Sequence, residues 1–417
     1  MTESMRSIPR TTQRIGASQK LLPDGVRIVA WARAIRWAGW GFGEGLIPVF
    51  ILLFSHTFAE AGLIRSTYEI ASLMSLPLIG AWADRVSARR IILLSLLFYP
   101  LVGISYFVAG IATMPLFIVL ARGFNGILWE MENIGVATYY RRIAVRKNIA
   151  TSFGYMDVWS NAVWIGAALI GMLLVPFMPI HYLLLAIAPA AIAAYCVAMR
   201  APRDKTVKGN DPAPRVPFIG SFGRAINEWR SWGAHLWLLG ALVLFSGIIG
   251  ALLWFFVPID AYISGANLQF VVLLSVAGAV PSLFGYQFGK IVDSYNNYTL
   301  IAGGLVAVAF VTASLAIVPQ YTFKLVASFI LGVVLELFSV VQNSLITTLG
   351  PAETYGQRGS AFEVIVTLGD LTAPLILGIG LDILGFGNVV LIVACAAIVL
   401  AAAYHRVKTI GGLGTAG

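Results

Sequence analysis

Stretches of apolar residues, each about as long as a membrane helix, fill the chain almost from end to end. A helix needs about 20 predominantly apolar residues to cross the hydrocarbon core of a bilayer. Twelve stretches of this kind occur, at residues 28–54, 59–82, 90–111, 114–139, 149–176, 179–200, 234–258, 267–290, 298–319, 322–349, 358–383 and 386–405. The sequence is 59% hydrophobic and only 11% charged, whereas a soluble domain is about a quarter charged. The pattern predicts an all-α membrane protein with twelve transmembrane helices, which we number spans 1 to 12.

The basic residues lie mainly in alternate loops. Most of the 28 lysines and arginines fall in the two tails, in the loops after spans 2, 4, 8 and 10, and in the connection between spans 6 and 7. To the opposite face we assign only Arg65 and Lys324. Because positively charged loops stay in the cytoplasm, we expect a multi-pass protein of the plasma membrane with both termini inside. This asymmetry also accounts for the pI of about 9.6 without a nucleic-acid partner.

One long polar connection divides the chain into halves. We expect a cytoplasmic basic tail at 1–27, a six-helix bundle at 28–200, a linker at 201–233, a second six-helix bundle at 234–405 and a tail at 406–417. The end of the linker, "FIGSFGRAINEWRSW", is compatible with an amphipathic surface helix and equally with a plain connection.

The halves carry traces of a duplication. One alignment of the second half on the first pairs Gly80 with Gly289 and Asp84 with Asp293, after spans 2 and 8. A register three residues shorter pairs "GILWEM" from Gly126 with "GVVLEL", within spans 4 and 10. Duplicated six-span halves are typical of secondary transporters, so we expect two pseudo-symmetric bundles.

Two motifs carry a resemblance to a known family. "GAWADRVSARR", between spans 2 and 3, resembles the signature loop of the major facilitator superfamily, G-x-L-x-D-R-x-G-R-R. The matching positions are Gly80, Asp84, Arg85 and Arg89, and the departures are Trp82, Ser87 and Ala88. In span 4, "LARGFNG" resembles the family pattern R-x-x-Q-G through Arg122, Asn125 and Gly126. The resemblance implies the two-bundle fold of that family, in which spans 1, 4, 7 and 10 line a central cavity.

The resemblance also implies a cytoplasmic latch between the halves. In this reading Asp84 meets the positive N-terminal end of span 11, while Arg85 and Arg89 bond to nearby carbonyls or acids. Gly80 and the repeat counterpart Asp293 complete the set. We expect the latch to favour the outward-facing state and to open during each transport cycle.

Charge inside the membrane is the second informative feature. Eight acids fall within spans: Glu44, Glu69, Glu130, Glu132, Asp157, Glu336, Glu363 and Asp370. Three arginines accompany them: Arg33, Arg36 and Arg122. Each charged group facing lipid at mid-membrane costs about 2.5–3.5 kcal/mol. These side chains must therefore face the interior of the bundle, pair with one another or bind protons.

Helical spacing assigns the charged groups to faces. Arg33, Arg36, Trp40 and Glu44 fit one face of span 1, whereas Glu132 points away from Glu130 toward the face of Asn125. For translocation and proton coupling we select Glu44, Arg36, Arg122, Glu130, Glu336 and Asp370. For the substrate cavity we select Trp40, Asn125, Glu132 and Asn343. A static Arg122–Glu130 pair remains the alternative for those two residues, and Glu69 and Glu363 are expected to make structural contacts near the membrane ends.

These features predict a secondary active transporter that moves a small organic solute by alternating access and is coupled to protons.

 Indole faces beside carboxylates suit an organic cation, so the pattern favours efflux of amphipathic or cationic compounds. The alternative is proton-coupled uptake of a metabolite or organic anion bound by Arg33, Arg36 and Arg122. A membrane-embedded enzyme or a sensor without transport is a more distant alternative, and we expect no enzyme activity, catalytic residue, cofactor or metal site. The expected partners are the solute, a proton or another ion, and the lipid bilayer, with the protein acting as a monomer.

Overall fold

The fold is described from a computed structural model. It describes residues 22–83, 85–143, 149–204, 233–318, 320–348 and 355–411. The described residues form helices and turns, with no strand among them. The helices, by span, are Asp24–Gly41, Glu44–Leu46 and Ile47–Leu52 (span 1); Phe58–Ala83 (2); Ala88–Phe98 and Pro100–Ala112 (3); Pro115–Ile143 (4); Ile149–Leu174 (5); Ile180–Leu185 and Ile187–Ala198 (6); Ala234–Ala251, Leu252–Phe256 and Val257–Ile263 (7); Leu268–Ala279, Val280–Phe284 and Gly285–Ser294 (8); Asn297–Ile317 (9); Tyr321–Thr348 (10); Tyr355–Leu384 (11); and Phe386–Gly411 (12).

The helices confirm the prediction of an all-α membrane protein. Within the described residues, nine helical rods, spans 3 and 5 to 12, are long and apolar enough to cross a membrane. The other three rods, spans 1, 2 and 4, contain the three arginines and four of the eight acids that the sequence places inside the membrane. Their charged side chains distinguish these three rods from the other nine. Such side chains need polar partners or water in the interior of the protein.

Helix boundaries differ slightly from the predicted ones. The first described helix begins at Asp24 rather than at residue 28, and the last runs on to Gly411 rather than ending at 405. Most of the linker lies outside the described residues, and so does the segment for which the sequence allows either a surface helix or a plain connection. The division into two six-helix bundles joined by a linker stays a prediction.

Several spans are interrupted where glycine or proline weakens the helix. Span 1 breaks after Gly41, passes through a short 3-10 turn at Glu44–Leu46 and resumes with Pro48 in its first turn. Span 7 contains a π-helical turn just before Pro258, and span 8 a 3-10 turn that includes Pro281. Proline cannot donate a backbone hydrogen bond, and π turns are frequent at functional sites. Residues of the breaks in spans 1, 7 and 8 line the same cavity between the helices.

Two pairs of spans make most of the contact between the first six spans and the last six, and span 1 adds smaller contacts with spans 7 and 8. Span 2 packs along span 11, and span 5 packs against span 8. Within the halves, close packing occurs between spans 1 and 5, 2 and 4, and 3 and 4, and between spans 7 and 11, 8 and 10, and 9 and 12. The two joining pairs are equivalent under the repeat of the sequence, since spans 2 and 5 correspond to spans 8 and 11.

Two glycines of the repeat occupy equivalent positions in the packing. A side chain on Gly126 of span 4 would run into the carbonyl of Tyr68 on span 2. A side chain on Gly332 of span 10 would run into the carbonyl of Gly278 on span 8. Small residues allow such close approach of helix backbones in membranes. The weak sequence match between the two glycines thus has a packing reason.

Candidate functional site

A set of three adjoining cavities lies between the two halves. Cavity A has a volume of about 620 Å³ and is lined mainly by spans 1, 2 and 4, with part of span 11. Cavity B, of about 470 Å³, lies between spans 1, 2, 4 and 5 of the first half and spans 7, 8 and 10 of the second. Cavity C, of about 310 Å³, is lined almost entirely by spans 7, 10 and 11. Arg65 lines all three, which makes them parts of one central space.

Seven of the predicted translocation and cavity residues line this space. They are Glu44, Arg122, Glu130, Glu336, Asp370, Trp40 and Asn125. Glu130 accepts a hydrogen bond of 2.7 Å from the Ser72 hydroxyl. Arg122 donates to the carbonyl of Arg65 at 3.3 Å, and its guanidinium lies 4.9 Å from the ring centre of Tyr68. The roles of these residues stay proposals, but their common location follows from the fold.

Glu44 sits at the break in span 1. The indole N–H of Trp164 on span 5 donates to its carboxylate at 2.6 Å. The helix ends at Gly41 and a 3-10 turn begins at Glu44. The predicted single face with Arg33 and Arg36 is therefore wrong for Glu44, because the 3.6-residue period does not continue through the turn. Glu44 reaches cavities A and B instead.

Arg36 and Glu132 are not cavity residues. Arg36 is fully buried and forms an ion pair with Glu132, whose exposed fraction is 1%. Arg33 joins the same pair at 3.5 Å and donates to the Asn133 side chain at 2.9 Å. The guanidinium of Arg36 also stacks 4.7 Å from the ring centre of Tyr99. The prediction that Glu132 lines the substrate cavity is wrong because two arginines hold it between spans 1 and 4.

Asn343 is the other predicted cavity residue that lies elsewhere. Its side chain is exposed and lines none of the three cavities. Gln342, one residue earlier, lines cavity C and donates to Ser246 on span 7 at 2.9 Å. Spacing from Glu336 alone does not fix the face near the end of span 10, where a shift of one residue changes the side chain that reaches the interior.

Arg65 is the residue that the sequence analysis misplaced. It lies inside span 2 rather than in a loop of the opposite face, and it pairs with Glu69 at 3.3 Å. Glu69, for which we expected a structural contact near a membrane end, lines cavity A. The available signal was an arginine and a glutamate four residues apart inside an apolar run, a spacing that places both on one helix face.

Lys324 does lie near the opposite face, as the sequence predicts, where it is buried and pairs with Asp260 at 2.5 Å.

The central space is closed toward one face and extends toward the other. We define the basic face as the one where span 1 begins and span 12 ends. Cavity A extends to Thr138 and Arg141 at the basic-face end of span 4. Toward the opposite face, the Asp382 carboxylate of span 11 accepts the backbone N–H groups of Phe58 and Ala59 of span 2, both at 2.8 Å.

Further contacts complete the closure at the opposite face. The Ser66 hydroxyl of span 2 donates to the carbonyl of Leu371 on span 11 at 2.8 Å. Gly378 packs against the backbone of Phe58, where any side chain would clash. Gln269 on span 8 donates to the carbonyl of Met172 on span 5 at 3.3 Å. Both joining pairs of spans therefore make direct contact at this face.

The predicted latch loop is held within its own half. Asp84 lies outside the described residues, while Arg85 and Asp293 are exposed and Gly80 has open space beside it. Arg89 donates to the carbonyl of Met199, at the end of span 6. The latch across the two halves stays a prediction.

Asp204 organises this loop, although the sequence analysis did not select it. Its buried carboxylate accepts hydrogen bonds from the Ser87 hydroxyl at 2.5 Å and from the N–H groups of Ala88 and Arg89 at 2.8 and 3.2 Å. Arg142 donates to it at 2.8 Å. The acid thereby caps the N-terminus of span 3, where a negative charge is stabilising.

We expect Asp204→Ala to lower the thermal stability of the detergent-purified protein. Loss of one partner from a buried ion pair costs about 3–5 kcal/mol. Burial by itself would raise the pKa of Asp204, but hydrogen bonds from Ser87, Arg142 and the amides of Ala88 and Arg89 outweigh it and lower the pKa. The stabilisation is therefore present above the pKa of an unfolded aspartate, about 3.9, and is lost as the pH falls below it.

The measurement is the unfolding midpoint of wild type and Asp204→Ala at several pH values between pH 3 and pH 7. These limits lie about one pH unit below and about three above the pKa of a free aspartate side chain. The difference between the two proteins should shrink at the acid end. Asp24→Ala is the control, since the side chain of Asp24 is 89% exposed. A midpoint unchanged by Asp204→Ala at pH 7 would contradict the assignment.

Metal and thiol chemistry find little support in the described part of the chain. No group of three or more His, Cys, Asp or Glu side chains there has a geometry that could hold a metal ion. Cys196 and Cys395 are free and exposed.

Comparison with known proteins agrees with the geometry. The profile of the Major Facilitator Superfamily matches residues 29–374. No curated protein matches the chain by sequence. A crystal structure of the nucleoside transporter NupG superposes with a TM-score of 0.71 at 17% identity, covering 92% of this chain and 99% of that one.

Two further solved structures share the fold. A bacterial homolog of the human lysosomal transporter Spinster, inward-facing and unoccupied, has a TM-score of 0.69 at 15% identity, with 91% of this chain and 95% of that chain covered. A POT family transporter in complex with 5-aminolevulinic acid has a TM-score of 0.73 at 13% identity, with the same coverage of 91% and 95%. The all-helical arrangement of the described residues agrees with the profile match, which shows that this chain belongs to the major facilitator superfamily and is a membrane transport protein, not an enzyme.

Proposed function

We propose that the protein is a proton-coupled secondary transporter that moves a small charged organic solute across the plasma membrane by alternating access. The observation that carries the proposal is the central space between the halves. It contains acids and arginines inside the membrane and, among the described residues, is closed toward one face only. Ionisable groups within a membrane protein mark solute or proton pathways. The basic face is taken as cytoplasmic by the positive-inside rule, so the conformation corresponds to an inward-facing state.

Proton coupling is assigned to the acids of the central space. A carboxylate binds a proton more weakly when an arginine is near and more strongly when it is far. Glu130 lines cavity A together with Arg122 and Arg65, and Glu44 lines cavities A and B with the same two arginines. Movement of span 2 relative to spans 1 and 4 would change these distances. The proton affinity would then depend on which face is open.

Glu130→Gln should abolish transport driven by a pH gradient while the protein stays folded, because glutamine keeps a hydrogen-bond acceptor for Ser72 but cannot bind and release a proton. The measurement is flux of a compound panel into proteoliposomes with an imposed gradient. Asp24→Asn serves as the control for an acid remote from the central space. Flux of Glu130→Gln that still follows the gradient would remove Glu130 from the coupling mechanism.

Two solute classes have support in the lining. Trp37, Trp164 and Trp254 line cavity B with Glu336, which supports efflux of an amphipathic cation through cation–π contacts. Arg65 and Arg122 line the same cavity and support uptake of an organic anion. Arg33 and Arg36 are not part of this anion site, because both form ion pairs with Glu132.

A further inference from the structure

Cavity A contains buried donors without acceptors. The Nε atom of Arg122 and the indole nitrogens of Trp37 and Trp40 are buried and have no hydrogen-bond partner among the described residues. All three side chains line cavity A. Buried polar groups in proteins almost always have a partner. This side of the central space therefore lacks an acceptor that a bound anion would supply.

The second half has the opposite deficiency. The carboxylate of Glu336 lines cavity B and has neither an ion pair nor a hydrogen bond among the described residues. Asp157 on span 5 is near enough to add negative potential at Glu336. The residues that the second half contributes to cavities A, B and C include Glu336 and Asp370 but no lysine or arginine. A positively charged partner for Glu336 is what this side lacks.

We propose that the solute is dipolar, with a carboxylate held by Arg122 and the indole N–H groups of the first half and an ammonium held by Glu336 of the second. This inference rests on the transport function proposed above and specifies its solute. Arg122 and Glu336 both line cavity B, so one small molecule can reach both. The assignment unites the cation and anion alternatives, each of which accounts for one side of the space only.

The charge balance favours a singly charged anionic group. The charge of Arg65 is offset by Glu69 at 3.3 Å, whereas Arg122 has no acid partner among the ion pairs of the described residues. One arginine without a direct ion-pair partner matches a carboxylate better than a dianionic phosphate. A solute with only one charged group would leave the buried groups of the other side unpaired, a mismatch that excludes analogues strongly.

The test uses two triads of probes matched in shape. The zwitterions are L-phenylalanine and L-leucine; the corresponding amines are phenethylamine and 3-methylbutylamine, and the acids are 3-phenylpropionate and 4-methylpentanoate. Binding to the detergent-purified full chain is measured by the ligand-induced rise of the unfolding midpoint. We expect at least one zwitterion to bind about tenfold more tightly than its amine and its acid, the loss expected for one missing charge-assisted hydrogen bond.

Three variants assign the binding to the proposed groups. Glu336→Gln should bring the zwitterion down to the level of its acid. Trp40→Phe keeps the ring but removes one unpaired donor, so it should weaken the zwitterion and the acid several-fold and leave the amine unchanged. Asn343→Ala is the control, because Asn343 is exposed and outside the cavities. An unfolding midpoint without ligand that equals the wild-type value shows whether each variant keeps the fold.

The outcomes separate this inference from the transport function. An amine or an acid that binds as tightly as its zwitterion, or no response to either zwitterion, would overturn the dipolar solute. If the amine or the acid is then carried in proteoliposomes along a pH gradient, proton-coupled transport still stands. Flux that does not respond to the gradient would instead overturn the coupling.

Discussion

Glu132→Gln should lower the thermal stability of the protein more than any other single change to the acids of the described spans. The side chains of Arg36 and Glu132 are 0% and 2% exposed, and that of Arg33 is 9% exposed. Removal of the acid leaves two arginines buried between spans 1 and 4 without a countercharge. Breaking a buried pair in this way costs about 3–5 kcal/mol. The measurement is the unfolding midpoint in detergent.

Glu69→Gln is the matched control. It also removes a glutamate from an arginine pair, but the side chain of Arg65 is 27% exposed and can be hydrated by the central space. Its effect on the midpoint should be clearly smaller. The double variant Arg36→Met with Glu132→Gln should recover part of the loss, because replacing both members of a buried pair is often neutral. Equal midpoints for Glu132→Gln and wild type would show that the pair does not stabilise the fold.

Asp382→Ala should shift the protein toward a state open at the opposite face. The Asp382 carboxylate joins the end of span 11 to the first amides of span 2, with two hydrogen bonds of 2.8 Å. Hydrogen bonds to a charged group contribute about 1.5–3 kcal/mol, and exposure of the carboxylate reduces this value. A shift of about tenfold in the equilibrium between the two states is therefore expected.

Labelling of a cavity cysteine measures this shift. Ser275 is buried and lines cavity B, so Ser275→Cys, with Cys196 and Cys395 replaced by serine, reports access from the opposite face. A membrane-impermeant maleimide added at the opposite face, which is the outer face of the cell in the orientation proposed above, should label it about tenfold faster after Asp382→Ala. Asp24→Ala is the control, since Asp24 lies at the start of span 1, at the other face, and its side chain is 89% exposed. An unchanged labelling rate would show that Asp382 does not hold the halves together.

Asp382 also clarifies the predicted latch of the basic face. The resemblance of the loop to the signature loop of the superfamily implies that Asp84, at the end of span 2, meets the start of span 11. The structure has the reverse arrangement at the opposite face, where an acid at the end of span 11 meets the start of span 2. The two arrangements are related by exchanging the roles of spans 2 and 11. We therefore expect the two acids to stabilise opposite states of the transport cycle.

The sequence by itself determined the membrane helices, the family and the presence of charge at the centre of the bundle. These follow from local properties, because about 20 apolar residues are needed to cross a bilayer wherever they occur, and an ionisable group in such a run must avoid lipid. Seven of the ten residues selected for translocation and the cavity line the central space for this reason.

Only the tertiary structure decided which partner each charged group has. Glu130 and Glu132 are two residues apart, yet one faces cavity A and the other is buried against Arg36. Asp204 and Asp382 bond to residues more than a hundred positions away in the chain. Hydrogen bonds and ion pairs act over a few ångströms, so they depend on which helices become neighbours and in what register. Spacing along one helix does not contain that information.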